Sequence, residues 1–213
     1  MSEPILCKIC AKRRARRACP AVRGDICTTC CGTEREVSLS CPLDCVYLMD
    51  AHQHEKPVPV APGDIANRDV EVSEEFLQSH EEFLLYCTYS LLQAALRTPG
   101  AIDSDVMTAL DALIQTYRTL SSGLIYETRP ENNVAASVQR IFIESLEEYQ
   151  KIRAEREGLG GLRNSEILAT LVFLHRLGQQ NQNGKPRGRM FLDLLKHLVP
   201  QTTVQEQAPS IIL

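Results

Sequence analysis

Eight of the nine cysteines lie between Cys7 and Cys45, and this crowding constrains the fold more than any other feature of the chain. The rest of the sequence holds only Cys87. Met1-Ser2-Glu3-Pro4 has no basic stretch leading into an apolar run, so no secretory signal is expected and a reducing, cytoplasmic setting is. Dense cysteines in such a setting point to metal rather than disulfides. Cys7-Lys-Ile-Cys10 and Cys27-Thr-Thr-Cys30 are two C-x2-C turns separated by 16 residues, within the spacing of paired zinc knuckles. A tight turn puts two sulfurs on one side of the chain, and structural zinc takes four thiolates in a closed tetrahedron. Cys19, Cys31, Cys41 and Cys45 remain, the right number for a second ion. Adjacent Cys30 and Cys31 project in different directions, so one segment can serve two metals.

The expectation is therefore two zinc ions per chain, one at Cys7, Cys10, Cys27 and Cys30, the other at Cys19, Cys31, Cys41 and Cys45. An iron–sulfur cluster and a disulfide framework are the competing uses of these cysteines. Paired turns split by a long insert fit zinc ribbons better than cluster motifs. His52 and His54 stand close enough in sequence to replace a sulfur, although eight thiolates already fill two sites. Residues 1–50 contain too few large apolar side chains for a core, so metal must take its place. Cys87 falls on an apolar helical stripe and reads as an inert core thiol.

The run Cys19-Pro20, Gly24, Cys27-Thr-Thr-Cys30-Cys31-Gly32-Thr33, Arg35, Cys41-Pro42, Cys45 and Tyr47-Leu48 resembles the N-terminal region of uncharacterised bacterial proteins. Those proteins join such a cysteine-rich module to a helical region, so the resemblance implies architecture and no activity. The segment is more loosely similar to double-zinc fingers of the HIT and MYND type, which mediate protein contacts. It departs from them at Val22, where a second thiol would stand, and in lacking their later histidine pattern.

Beyond the cysteines the pattern is helical. The fold class expected is mainly α: a small double-zinc N-terminal module, residues 1–50, then a Pro-rich connector, 51–72, a bundle of about five helices, 73–200, and a tail, 201–213. Pro57, Pro59 and Pro62 forbid helix in the connector and favour a stiff, extended segment. Ser73 can cap a first helix opened by Glu74 and Glu75, with Phe76, His80, Leu84, Cys87, Leu91 and Ala95 on one face and a stop at Thr98-Pro99-Gly100. Asp103 or Ser104 caps a second, with Val106, Leu110, Leu113, Tyr117 and Leu120 as its stripe and Gly123 beyond its end. Pro130 could open a third, carrying Val134, Val138, Ile141, Ser145, Tyr149 and Ile152 and ending at Gly158-Leu-Gly160-Gly161. Asn164 or Ser165 starts a fourth, with Ile167, Leu168, Leu171, Leu174 and His175 inward, and a fifth runs from about Arg187 to Leu198. Short links between amphipathic helices imply a bundle, and no run of ~18 apolar residues suggests a membrane span.

Charge bears on partners. Lys8, Lys12, Arg13, Arg14, Arg16, Arg17 and Arg23 form a basic run without an acidic residue, which can neutralise phosphates. Against a nucleic-acid role stand a formal net charge of −4 for the whole chain and the lack of aromatic residues within the run for stacking bases. Four thiolates on zinc carry a formal charge of about −2, so cations beside them are also expected as counter-charge. Residues 50–82 hold nine acidic side chains against Lys56 and Arg68 and offer the run an internal alternative. Enzyme signatures are missing: no P-loop, no dinucleotide-binding glycines and no Gly-x-Ser-x-Gly elbow. The function expected is thus a non-catalytic, zinc-binding protein-interaction or adaptor module. The alternative is a zinc-dependent, regulatory nucleic-acid-binding protein using Lys12, Arg13, Arg14, Arg16, Arg17 and Arg23.

Overall fold

The structure, a computed structural model, describes residues 4–157 and 161–199. The stop expected at Gly158-Leu-Gly160 and the tail expected over 201–213 lie outside the described residues. The described chain is mainly helical, with one two-stranded sheet near its start. Strand β1, Arg17–Cys19, pairs antiparallel with β2, Gly24–Ile26, in the register Arg17 to Ile26 and Cys19 to Gly24. A single turn over Pro20–Val22 joins them, closed by Arg23 at φ 48°. Helix α1, Thr28–Glu34, follows at once, and α2, Val46–His54, starts from Cys45. Neither short helix has an apolar period long enough to be read from sequence. The second runs across residue 50, the limit set by composition.

The bundle matches the expected stripes with one division and one miss: Ile152 is exposed, while Phe142 and Leu146 of the same helix are buried. The first predicted helix is two: α3, Glu74–Ser79, and α4, Glu81–Arg97. His80 breaks the run at φ −118°, ψ 22°, where its Nδ1 meets the Phe76 carbonyl at 3.0 Å. Ser73 caps α3 as expected, its hydroxyl accepting from Phe76 N–H at 3.1 Å. Helix α5, Asp103–Ser121, is central, packed between α6, Asn133–Glu157, and α7, Asn164–Gln180. Helix α6 begins three residues after Pro130, with the Asn132 side chain accepting from Val134 N–H. Helix α8, Met190–Leu198, closes the bundle against α4. Gly178 allows α7 to approach closely: a Cβ there would stand 2.5 Å from Met107 Sδ and 2.8 Å from Phe191. The core gathers Phe83, Leu91, Leu110, Leu113, Phe142, Leu171 and Phe191.

The connector does not stand away from the bundle. Val58 N–H donates to the Gln182 carbonyl at 2.8 Å. Further on, the Arg176 guanidinium on α7 donates to the carbonyls of Ala66, Asn67 and Val70. Gln179 holds the same stretch from both sides, accepting from Ala66 N–H and donating to the Asp64 carbonyl. An extended, proline-rich strand has few internal hydrogen bonds, so these side chains satisfy its backbone. The cysteine-rich end is fixed as well, because Leu43 belongs to the bundle's core cluster.

Candidate metal centre

Cys7 and Cys10 sit on a loop that doubles back on itself. Cys7 N–H donates to the Arg13 carbonyl, Ala11 N–H to the Cys7 carbonyl, and Ala11 takes φ 52° to close the turn. Lys8 N–H donates to the Asp25 carbonyl at 3.0 Å, which holds this loop beside β2. Cys27 directly follows β2 and caps α1, its sulfur 3.4 Å from Cys30 N–H. The two C-x2-C segments are thus brought together by the sheet. The sulfurs of Cys7, Cys10, Cys27 and Cys30 lie within 4.8 Å of one another. A tetrahedral zinc with ~2.3 Å bonds places its sulfurs roughly 3.8 Å apart, so this tetrad could hold a metal ion. Three of the four residues are buried, among Ile26 and Cys31.

The local field prepares part of this set for ionisation. Burial opposes the Cys7 thiolate, but N–H groups of Cys10, Cys27 and Ile9 outweigh it and bring the thiol down to about 6. Cys30 moves the other way, pushed up to about 12 by burial and by the neighbouring Cys27, Cys10 and Cys7 sulfurs. Four sulfurs packed this closely cannot all ionise without a cation among them. The Arg13 guanidinium, held above its ordinary value by a hydrogen bond to Cys27, is one local cation.

The other four cysteines are not brought together in the same way. The Cys31 sulfur, one helical step from Cys30, faces two guanidiniums instead: Arg17 Nη1 at 3.3 Å and Arg35 Nη2 at 3.8 Å. Cys41 is buried, which raises its thiol, and it feels the charges of Cys45 and Cys19. Cys19, Cys41 and Cys45 are therefore electrostatic neighbours, but with Cys31 they do not form a cluster of the first tetrad's closeness.

The basic run is partly spent inside the module. Lys8 Nζ donates to the Val22 and Arg23 carbonyls. Its stem passes Gly24, where a Cβ would stand 2.8 Å from Lys8 Cδ. Arg13 and Arg17 serve sulfurs, and Arg17 also lies 4.4 Å over the Tyr47 ring. Lys12, Arg14, Arg16 and Arg23 have exposed side chains.

His52 does not join the cysteines. It is buried, with Nε2 3.1 Å from Glu36 Oε1 and Nδ1 3.0 Å from Asp193 Oδ2. Glu36 is completely buried at φ 57°. It also accepts from Asn183 Nδ2 at 2.8 Å and from Arg189 N–H at 2.7 Å, while its own carbonyl accepts from Arg187 N–H. Burial opposes the charged forms of both residues. Each overcomes it through the other, so the Glu36 carboxyl lies below its ordinary range and the His52 imidazole above its own. Glu36, His52 and Glu55 could also group around a cation, but Lys185 Nζ already lies 2.6 Å from Glu55 and 3.6 Å from Glu36. These residues form a polar seam joining the turn after α1, helix α2, the loop before α8 and α8 itself. Sequence reading missed Glu36, Lys185 and Asp193, which have no shared spacing; apart from the Glu36–His52 pair, 16 residues apart, the seam's contacts cross more than a hundred residues.

Cys87 is buried on α4 and its thiol is raised well above the ordinary value by burial. His175 is buried, with Nε2 2.9 Å from Asp111. His197 Nδ1 donates to the Asp193 carbonyl at 2.7 Å. No helix of the described residues is long and apolar enough to cross a membrane. The chain matches no known family model, and no curated protein or solved structure is similar to it; the likeness to HIT and MYND fingers thus has no support beyond its cysteines.

Proposed function

We propose that the cysteine-rich module is a zinc-stabilised recognition element, held rigidly on the helical bundle and acting in protein contacts rather than in catalysis. The observation that carries this reading is the tetrad: four sulfurs, mostly buried, within 4.8 Å of one another on a turn, a strand end and a helix cap. Four thiolates make a closed structural site with no open position for substrate. The reading extends to a second zinc at Cys19, Cys31, Cys41 and Cys45. That extension rests on donor chemistry and on the electrostatic proximity of Cys19, Cys41 and Cys45. Binding zinc there requires Cys31 to exchange its arginine partners for metal.

A protein partner is favoured by the apolar rim of the first knuckle, where Ile5, Leu6 and Ile9 are exposed. Nucleic acid is the second reading, favoured by exposed Lys12, Arg14, Arg16 and Arg23. It is weakened because Lys8, Arg13 and Arg17 are engaged within the module. Zinc-loaded protein applied to duplex DNA and RNA at low salt separates the two. The protein-contact reading expects no retention. Retention that falls steeply with salt, and is lost when Arg14, Arg16 and Arg23 become Glu, would replace it with the nucleic-acid reading. Under the protein-contact reading, cross-linked partners of the wild type disappear with Ile5→Asp and Ile9→Asp while zinc content stays the same.

A further inference from the structure

Beneath the Cys41–Cys45 loop the module and the bundle leave a cavity of about 370 Å³ between them. Pro42 and Leu43 form the module's wall, Leu92 and Leu96 of α4 a second, and Val199 with Lys196 at the end of α8 a third. Arg189, just before α8, also lines it. The volume suits a small molecule and is too small for an amphipathic helix.

The charges in this cavity are unbalanced. Arg189 is more than half buried, and its Nε is buried without a hydrogen-bond partner. Burial disfavours its charge, and the nearby carboxylates Asp103 and Glu36 counter this only through space. Both are already committed. Asp103 accepts from Phe191 and Leu192 N–H groups, and Glu36 accepts from His52, Asn183 and the Arg189 backbone N–H. Lys196 Nζ makes only a long contact, 3.4 Å, to the Leu43 carbonyl. Asp44 is the one acidic side chain of the lining. Two cations against one carboxylate in the lining leave room for a single negative charge, and apart from Gln93 the remaining wall is aliphatic. A guanidinium whose Nε is buried without an acceptor is stabilised by an anion placed on its other nitrogens.

We propose that this cavity binds a small monocarboxylate with an aliphatic body. Its carboxylate pairs with Arg189 and Lys196, and its chain lies against Leu92, Leu96 and Val199. The guanidinium fork suits a carboxylate. A ligand seated here touches both the module and α8, so it also strengthens their contact.

Decanoate, kept below its micellar concentration, tests the site by calorimetric titration into the metal-loaded full chain. One saturable site per chain is expected. Decanol, with the chain but no charge, and acetate, with the charge but no chain, should each bind at least tenfold more weakly. Arg189→Gln should weaken decanoate at least tenfold. Leu96→Asp should do the same from an exposed position, where the fold tolerates the change. Decanol binding as tightly as decanoate, several decanoates per chain, no binding, or unchanged binding in both variants would overturn the proposal. A dimer that Leu96→Asp dissociates, in protein that takes up no decanoate, would make a second copy the occupant and equally overturn it. Zinc content read on the same samples keeps this outcome separate from the fate of the metal reading.

Discussion

From Cys7 to Leu48 the buried apolar side chains are five cysteines with Ile26, Leu43 and Leu48, whereas α4 to α8 bury three phenylalanines and a continuous set of leucines, isoleucines and valines. The bundle excludes water with hydrocarbon, and its helices hold by matched faces. The module cannot do so, because its few aliphatics are spread over a sheet of two three-residue strands and two short helices. It concentrates thiols where a core would be, and arginines around them. The comparison teaches that the two halves should fail differently, the module by losing a cation and the bundle by losing packing. Between them the Glu36–His52–Asp193 seam belongs to both.

The largest effect expected is from metal removal. Structural zinc contributes an apparent ~10–16 kcal/mol in small finger peptides, far above what the module's aliphatics supply. A strong chelator should open residues 4–45 to proteolysis and amide exchange while most of the far-ultraviolet helical signal stays. Loss of the bundle's signal at the same chelator concentration would show that the two halves fail together. Next in size is Leu113→Asp, which places a charge at a fully buried point of α5. Several kcal/mol of bundle stability should be lost, roughly 3–5 for an uncompensated buried charge. Thermal unfolding checks this, and zinc content should not change.

The seam tests how far the halves are coupled. Glu36→Ala leaves His52, Asn183, Lys185 and the Arg189 N–H without their shared acceptor. A cost of about 3 kcal/mol is expected, together with faster amide exchange in both α2 and α8. Exchange that rises in only one of the two would confine the seam to that half. Acidity provides a finer reading. Burial raises Asp103 to about 6, against the opposing N–H groups of Phe191 and Leu192. The folded chain therefore binds more protons than the unfolded chain between about pH 4 and 6, and the Asp103 contribution improves as pH falls through that window. Asp103 also feels Glu36 and His52. His52, raised in the fold, contributes fully below its unfolded value and loses this as pH rises through its folded one. Asp103→Asn should flatten the slope of stability against pH between 4 and 6. Smallest is Ser73→Ala, which removes the cap on α3 and should cost about 1 kcal/mol in the bundle, with no change in the module.

What could be read from sequence follows the same division. The bundle's stripes were legible because periodicity is a local signal: Val106, Leu110 and Leu113 share a face wherever the helix docks. His80 and Ile152 are exceptions: a stacking contact with Phe76 and a local hydrogen bond override the period at His80, and Ile152 is exposed. The first tetrad was legible because C-x2-C fixes two sulfurs per turn. The setting of Cys31 was not: whether a thiol faces metal or arginine depends on where Arg17 and Arg35 project. Nor could the connector's proline pattern announce Arg176 and Gln179 as its hydrogen-bond partners. The seam was hidden for the same reason, since Glu36 and Asp193 meet only through the completed fold.

Zinc bound per chain, measured by elemental analysis after chelator challenge, tests the central claim most directly when wild type, Cys27→Ser and Cys87→Ser are compared. The account predicts that the wild type retains at least one chelator-resistant zinc, that Cys27→Ser loses it, and that Cys87→Ser keeps it. A second, more easily stripped zinc would belong to Cys19, Cys31, Cys41 and Cys45. Metal-free wild type, or a resistant zinc that survives in Cys27→Ser, would contradict the assignment of the tetrad as the module's structural centre.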